Sequence, residues 1–263
     1  MDRALTNPIR ILVLVAVLVL VPGCQEKEQL EKEAPALAHA DLRVERIAIG
    51  GVVSDLAALG DSAESRANWS AVIGDHLARE KFGKLPILSY GEMGAILGPD
   101  DQAFMLDQFK EDGGCADDVL SGLETMLEGK ARFIVFGNIQ SDEVYRAEKE
   151  SEVVDEKGVT TSRTKTMTTS RTTAVRLRFY DLKDRKLVWD HLAVGQLATS
   201  RDHDMSDFIP HDPKEGFLGG LITSVANSVI KPDPDFPAAP TFEASLANAF
   251  DNVGAYLKPS KKR

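Results

Sequence analysis

Three places in this sequence carry side chains that could do chemistry: a cysteine closing an apolar run, a knot of carboxylates and imidazoles, and a cysteine among glycines. The first is Cys24, at the end of Val21-Pro22-Gly23-Cys24, behind eleven apolar residues at 11–21 and a head with Arg3 and Arg10 against Asp2. Eleven such residues reach only about 16 Å as a helix, half a bilayer core, which is the length of a signal h-region and not of a membrane span. Small and turn-forming residues before the cysteine leave the backbone open to a peptidase, and a thiol placed there can be acylated. The expectation is removal of residues 1–23 and lipid on Cys24. One acyl chain holds a protein to a membrane only marginally, so stable attachment takes more than one.

The second place is Asp202, His203, Asp204, Asp207, His211 and Asp212. Oxygen and imidazole ligands packed this closely could hold zinc or a harder cation. Their spacing fits no established pattern, and Asp212 before Pro213 reads as a helix cap with proline at the first helical position. No metal ligand is assigned. The third place is Cys115, in Gly113-Gly114-Cys115-Ala116. No base is evident to activate it, and with Cys24 acylated it has no partner for a disulfide. His39 and His191 are isolated, and His76 lies beside the apolar stripe of a helix carrying Trp69, where packing at a core edge explains it. Asp100-Asp101 and Asp117-Asp118 sit at loop–helix junctions, where acids favour the positive helix end. No GxGxxG, GxxxxGK[ST], GxSxG, HExxH or CxxC pattern occurs, so no catalytic residue and no cofactor is expected.

Composition narrows the classes further. The chain has 263 residues, 43% of them hydrophobic, with net charge −10. An acidic chain lacks the electrostatic attraction that dominates nucleic-acid affinity, so nucleic acid is not an expected partner. Residues 24–40 are Glu/Lys-rich and then Ala/Pro-rich, and read as a lipidated flexible tether.

The elements that position everything else follow from periodicity. Residues 44–53, 86–90 and 132–140 read as strands. Residues 61–82, 92–97, 101–110 and 116–127 read as helices, the first opened by a capping-box pattern at Asp61 and Glu64. Gly98-Pro99 and Gly113-Gly114 separate the later ones. This alternation predicts an α/β fold, a mixed sheet with helical crossovers, over residues 41–200. Within it, residues 142–173 pair an acidic arm with a Thr/Ser/Arg arm about Lys157-Gly158. That pattern predicts a long protruding polar β-hairpin or a disordered insertion. Val175, Leu177 and Phe179 alternate with Arg176, Arg178 and Tyr180 in a half-exposed strand, which a turn at Asp184-Arg185 joins to a strand from 187 to about 197. A C-terminal helical part spans 201–257, with helices at 217–230 and 242–257, and 258–263 is a basic tail.

Three stretches carry a resemblance: Val44-Glu45-Arg46-Ile47-Ala48-Ile49, residues 131–139 (ARFIVFGNI) and the hairpin 175–189 with its LVW return strand. Together they resemble the periplasmic α/β domain of curli-secretion (CsgG-like) lipoproteins. Lipoproteins that activate penicillin-binding proteins have the same domain type. The resemblance implies a cofactor-free domain working through contacts with another envelope protein, anchored in the cell envelope. Gln25 after the cysteine favours the outer membrane, facing the periplasm. Curli-type exporters carry two amphipathic hairpins per subunit, and this chain offers one polar hairpin, so no pore residues carry over. The expectation is a non-enzymatic lipoprotein. Its rivals are a homo-oligomeric export-channel subunit and a metal-dependent envelope enzyme.

Overall fold

Apolar β-rich runs separated by capped amphipathic helices fold here into a single mixed sheet. The computed structural model describes residues 29–40, 42, 44–78, 85–155, 160–205 and 236–257. Five strands, β1 (Ile47–Ser54), β2 (Ile87–Leu88), β3 (Phe133–Val154), β4 (Thr160–Asp181) and β5 (Lys186–Asp204), lie in the order β2-β1-β3-β4-β5. β1 runs parallel to β2 and β3, and β3, β4 and β5 are antiparallel in turn. The helices are α1 (Pro35–His39), α2 (Ala63–Leu77), α3 (Tyr90–Leu97), α4 (Pro99–Asp112), α5 (Asp117–Met126) and α6 (Phe242–Tyr256). The α/β mixed sheet with a C-terminal helix is thus the fold.

Both faces of the base of the sheet are covered. On one, α2 and α6 pack Trp69, Ile73, Leu246, Phe250 and Val253 against Phe133, Val135, Val175, Leu177 and Phe179. On the other, α3, α4 and α5 pack Met93, Leu106, Phe109 and Leu120 against Ile134, Phe136 and Tyr180. Phe136 stacks on Phe109 at 4.8 Å and meets the edge of Tyr180 at 6.1 Å. Burial of such apolar area, at about 25 cal/mol per Å², is what stabilises this half of the molecule. Arg132 clasps its edge, donating to Asp181 at 2.9 and 3.1 Å and to Glu45 at 2.8 and 2.9 Å. These charge-assisted bonds tie the lead-in to β1 to the ends of β3 and β4.

Gly50-Gly51 lies inside β1, as the predicted strand 44–53 requires, and a register shift falls between Ile49 and Gly51. Gly51 has φ +140, and a Cβ there would meet Leu106 at 2.7 Å, so the backbone conformation and the packing both require glycine. Several expectations are corrected. The first long helix is capped by Ser62, whose hydroxyl accepts from the Ser65 amide at 3.1 Å. Asp61 instead pairs with Arg66 and Lys110, both at 2.7 Å, bridging α2 to α4. A full capping box occurs one helix later, between Ser89 and Glu92. Tyr180 is buried, not half-exposed, because α4 and α5 cover the face that alternation alone assigned to solvent.

The expectation of a flexible tether fails for its described residues, 29–40. Residues 29–33 are helical, α1 follows, and Leu30, Ala34 and Leu37 are buried in the core. Glu/Lys composition concealed an apolar spacing of three to four residues, enough for a short amphipathic helix. The strand expected to end at about 197 runs on to Asp204, so residues 201–204 are strand and not the start of the expected C-terminal helical part. The helix expected at 217–230, the Lys157-Gly158 turn, Cys24 and the tail 258–263 lie outside the described residues.

Candidate functional site

Beyond residue 141 the three antiparallel strands leave the helices and continue as an arm. β3 pairs with β4 from Asp142↔Thr173 to Val154↔Thr160, and β5 follows β4 out to Asp204↔Thr164. The 142–173 segment is therefore ordered as a hairpin over its described residues, and it belongs to a three-stranded arm. The thirteen residues of β3 from Asp142 to Val154 span about 40 Å at 3.3 Å per step.

The arm is held mainly by ladder bonds and side-chain pairs. Glu148 faces Lys165 at 3.0 Å, and Glu150 and Glu152 face Arg163 at 3.0 and 3.2 Å, the cross-strand charge pairing expected of an acidic arm beside a basic one. At its root, Asp142 accepts two bonds from Arg171, at 2.6 and 2.8 Å, and one from Thr173 at 2.9 Å. Hydrogen bonding from Arg171, opposed by burial, holds the Asp142 carboxyl below its usual range. Residues 236–241 brace one face here: Thr169 donates to the Pro237 carbonyl at 2.7 Å and Arg171 to the Pro240 carbonyl at 3.1 Å. The opposite face presents a row of hydroxyls, Thr164, Thr166, Thr168, Ser170 and Thr172, at alternate positions of β4.

Both edges of the arm are exposed. Among the described residues β3 has no strand partner beyond Ile139 on its β1 side, and residues 143–154 are exposed throughout. Their many charges are what discourages indiscriminate pairing of such an edge. On β5, α6 closes the inner edge: Asn248 accepts from the Gln196 amide and Asn252 donates to the Val194 carbonyl, both at 3.0 Å. Gly195 lets α6 approach, since a Cβ there would run into the Ser245 carbonyl. Farther out, residues 198–202 and Asp204 are exposed.

A second feature lies at the opposite end of β5. Trp189 donates from Nε1 to Glu33 Oε2 at 3.2 Å, His191 Nδ1 lies 3.5 Å from the same oxygen, and Gln29 donates to Glu33 Oε1 at 2.6 Å. The Trp189 and His191 rings stack at 4.9 Å, and Tyr256 meets both edge-on. The bond from Gln29, with smaller contributions from Trp189 and His191, lowers the Glu33 pKa against its slight burial. This polar clamp fastens residues 29–33 to β5 and α6.

The chemistry-bearing residues are dispersed. Asp202 and Asp204 point to one face of β5 and His203 to the other, and the Asp202 carboxylate accepts from Thr166 at 2.7 Å. Asp207, His211 and Asp212 lie outside the described residues, among which no group of three metal-ligating side chains converges. Cys115 lines a hollow of about 420 Å³ with Arg178, Tyr180, Leu187 and Asp190. Burial pushes its thiol up to about 12, so it stays protonated and is a poor nucleophile at neutral pH. Its amide donates to the Tyr180 hydroxyl at 3.1 Å. A neighbouring hollow of about 230 Å³ is lined by Asp55, Lys110, Asn138, Gln140 and Arg176. Arg176 is engaged by Asp190, at 2.7 and 2.8 Å. His76 pairs with Asp251 at 2.7 Å, the core-edge position expected of it. No described helix is long and apolar enough to cross a membrane.

No known family model matches the chain, and no characterised protein matches it by sequence. Among solved structures it is similar to the hypothetical protein CT253 from Chlamydia trachomatis, at 13% identity over 81% of this chain and 97% of that one, with a TM-score of 0.34. It is also similar to lipoprotein GNA1162 from Neisseria meningitidis, at 12% identity, 70% and 97% coverage and TM-score 0.26. The LpoB C-terminal domain from Salmonella enterica gives 6% identity, 65% and 92% coverage and TM-score 0.31.

Proposed function

We propose that this chain is a lipid-anchored lipoprotein of the bacterial cell envelope, without catalytic activity, that docks on another envelope protein. The observation that carries the anchoring is the signal-like segment 1–23 ending at Cys24. Acyl chains on Cys24 hold the protein to the membrane, and Gln25 directs it to the outer membrane, facing the periplasm. The observation that carries the docking is the arm. From Trp189, which the residue 29–33 helix touches, β5 runs fifteen residues to Asp204, about 50 Å. The arm's polar faces and two exposed edges are thereby held away from the anchored end, as contact surfaces for a partner. A strand added to such an edge gains main-chain hydrogen bonds, and flanking charges select which strand.

Anchoring is tested by growing cells on labelled palmitate. The native chain takes up label and fractionates with membranes, and Cys24→Ser does neither. Label on the serine variant would overturn the assignment.

A second reading rests on the same edges. Exposed strands on both sides of the arm, at 143–154 and 198–204, allow neighbouring copies to pair into a ring, as a homo-oligomeric export channel requires. Light scattering in detergent distinguishes the two: a ring favours the channel, and a monomer leaves the docking lipoprotein.

A further inference from the structure

The two edges of the arm are not equivalent, and the outer edge of β3 is the one suited to receive a strand. From Ser141 to Val153 its ladder with β4 runs without a register shift, and neither proline nor glycine interrupts the stretch. Bulges, prolines and shortness are the usual means of blunting an exposed edge. Here side-chain charge alone protects it. The β5 edge is shorter, because α6 closes it at Val194 and Gln196 and leaves 198–204 beyond.

Alternate side chains of β3 share a face. On the face where Arg146 lies over the Phe236 ring at 5.6 Å, the order is Val144, Arg146, Glu148, Glu150, Glu152 and Val154. The three glutamates meet two cations of β4, Glu148 on Lys165 and both others on Arg163, and each remains 46–50% exposed. The cations approach from the β4 side, so the side toward the unpaired edge stays open. Val144 and Val154 flank this acidic run and are also exposed. The other face, with Glu143, Tyr145, Ala147, Lys149, Ser151 and Val153, carries one charge of each sign and selects little. A chain laid along the edge sits about 4.8 Å away, with same-face side chains about 5 Å across from those of β3. Cations at three alternate positions of that chain stand opposite Glu148, Glu150 and Glu152.

We propose that the outer edge of β3 takes an extended segment of the partner protein with Lys or Arg at three alternate positions between aliphatic residues, added to the arm as a fourth strand. It continues the sheet on the side of β3 where β1 stops, at Ser54↔Ile139. This rests on the docking reading and supplies the partner's chemistry. Ladder bonds give the affinity and the glutamates choose the strand. An acidic strand is refused, because like charges directly opposite are unfavourable. A second copy of this chain fits less well: its 198–204 edge carries Arg201 and His203 on one face and Asp202 and Asp204 on the other.

The test adds labelled nine-residue peptides to the native chain in detergent. The probe has valine at both ends, lysine at its third, fifth and seventh positions, and serine elsewhere. Fluorescence anisotropy should show it binding at least tenfold more tightly than peptides with glutamine or glutamate in the lysine places, since three cross-strand charge pairs are each worth severalfold. Exchange of alternate amides within 143–154 should slow about tenfold, with no change at 198–204. Glu148→Gln, Glu150→Gln and Glu152→Gln together should abolish the preference for lysine. Lysine peptides N-methylated at alternate residues, in the two possible phases, separate strand pairing from charge attraction: one phase should lose binding. Undiminished binding of both would overturn the proposal, as would equal affinity for the three unmethylated peptides. Slowed exchange at 198–204 in place of 143–154 would overturn it too. So would protection of 143–154 without peptide, rising with chain concentration, which gives the edge to a second copy. Failure here with a partner crosslink from Lys149 intact in cells removes the basic strand and leaves the docking reading standing. Loss of that crosslink removes both.

Discussion

The base and the arm are built from the same three strands, yet different forces hold them. In the base, β3 reads Phe133-Ile134-Val135-Phe136 and every one of these side chains is buried, because helices cover both faces. Eleven residues on, the same strand reads Val144-Tyr145-Arg146-Ala147-Glu148 and every one is exposed. Apolar burial fixes the base, whereas ladder hydrogen bonds, ion pairs and a brace at residues 236–241 do most to fix the described part of the arm, where Met167 is the buried apolar side chain. A surface built that way can meet a partner without disturbing the core beneath it.

The sharpest way to break this contrast is Phe136→Ala. It removes a fully buried ring stacked on Phe109, and a loss of about 3–5 kcal/mol in urea unfolding is expected. A loss below 1 kcal/mol would mean the base is not the packed half. Next comes Gly195→Ala, where the new methyl meets the Ser245 carbonyl. It should cost about 1–3 kcal/mol and raise amide exchange at the Gln196 bond to Asn248.

Asp142→Asn at the root of the arm should cost about 1–3 kcal/mol, because it leaves the Arg171 guanidinium without its carboxylate. The same residue predicts a pH dependence. The folded Asp142 carboxyl lies below its ordinary 3.8. Its contribution is therefore complete above that value and is lost as pH falls through the lower, folded one. Unfolding titrations below about pH 4 should show this loss in the native chain, and a smaller one in Asp142→Asn. The least effect is expected at Glu150→Gln, an exposed partner of Arg163, within about 0.5 kcal/mol. A large cost there would show that surface pairs, and not the ladder, hold the arm.

Much of the base was legible in the sequence because each strand carries its own apolar run and each helix its own breaker. Ser89-Tyr90-Gly91-Glu92 was an equally readable capping box. Tyr180 was not legible as core, since alternation identifies two faces of a strand but not whether a helix covers the second. The length of β5 was hidden because 198–204 is polar on both faces and looks like loop. The clamp of Glu33, Trp189 and Tyr256 was beyond reach, as it joins residues 156 and more positions apart. Cys24 is the reverse case, read wholly from sequence and outside the described residues.

Site-specific photo-crosslinking in intact cells tests the central claim most directly, with the probe at exposed Lys149 or Thr199 on the arm, or at Asp118 on the base. A discrete heteromeric product from the arm positions alone, abolished by Cys24→Ser, is the predicted result. The same product from Asp118, or none from either arm position, would contradict docking through the arm.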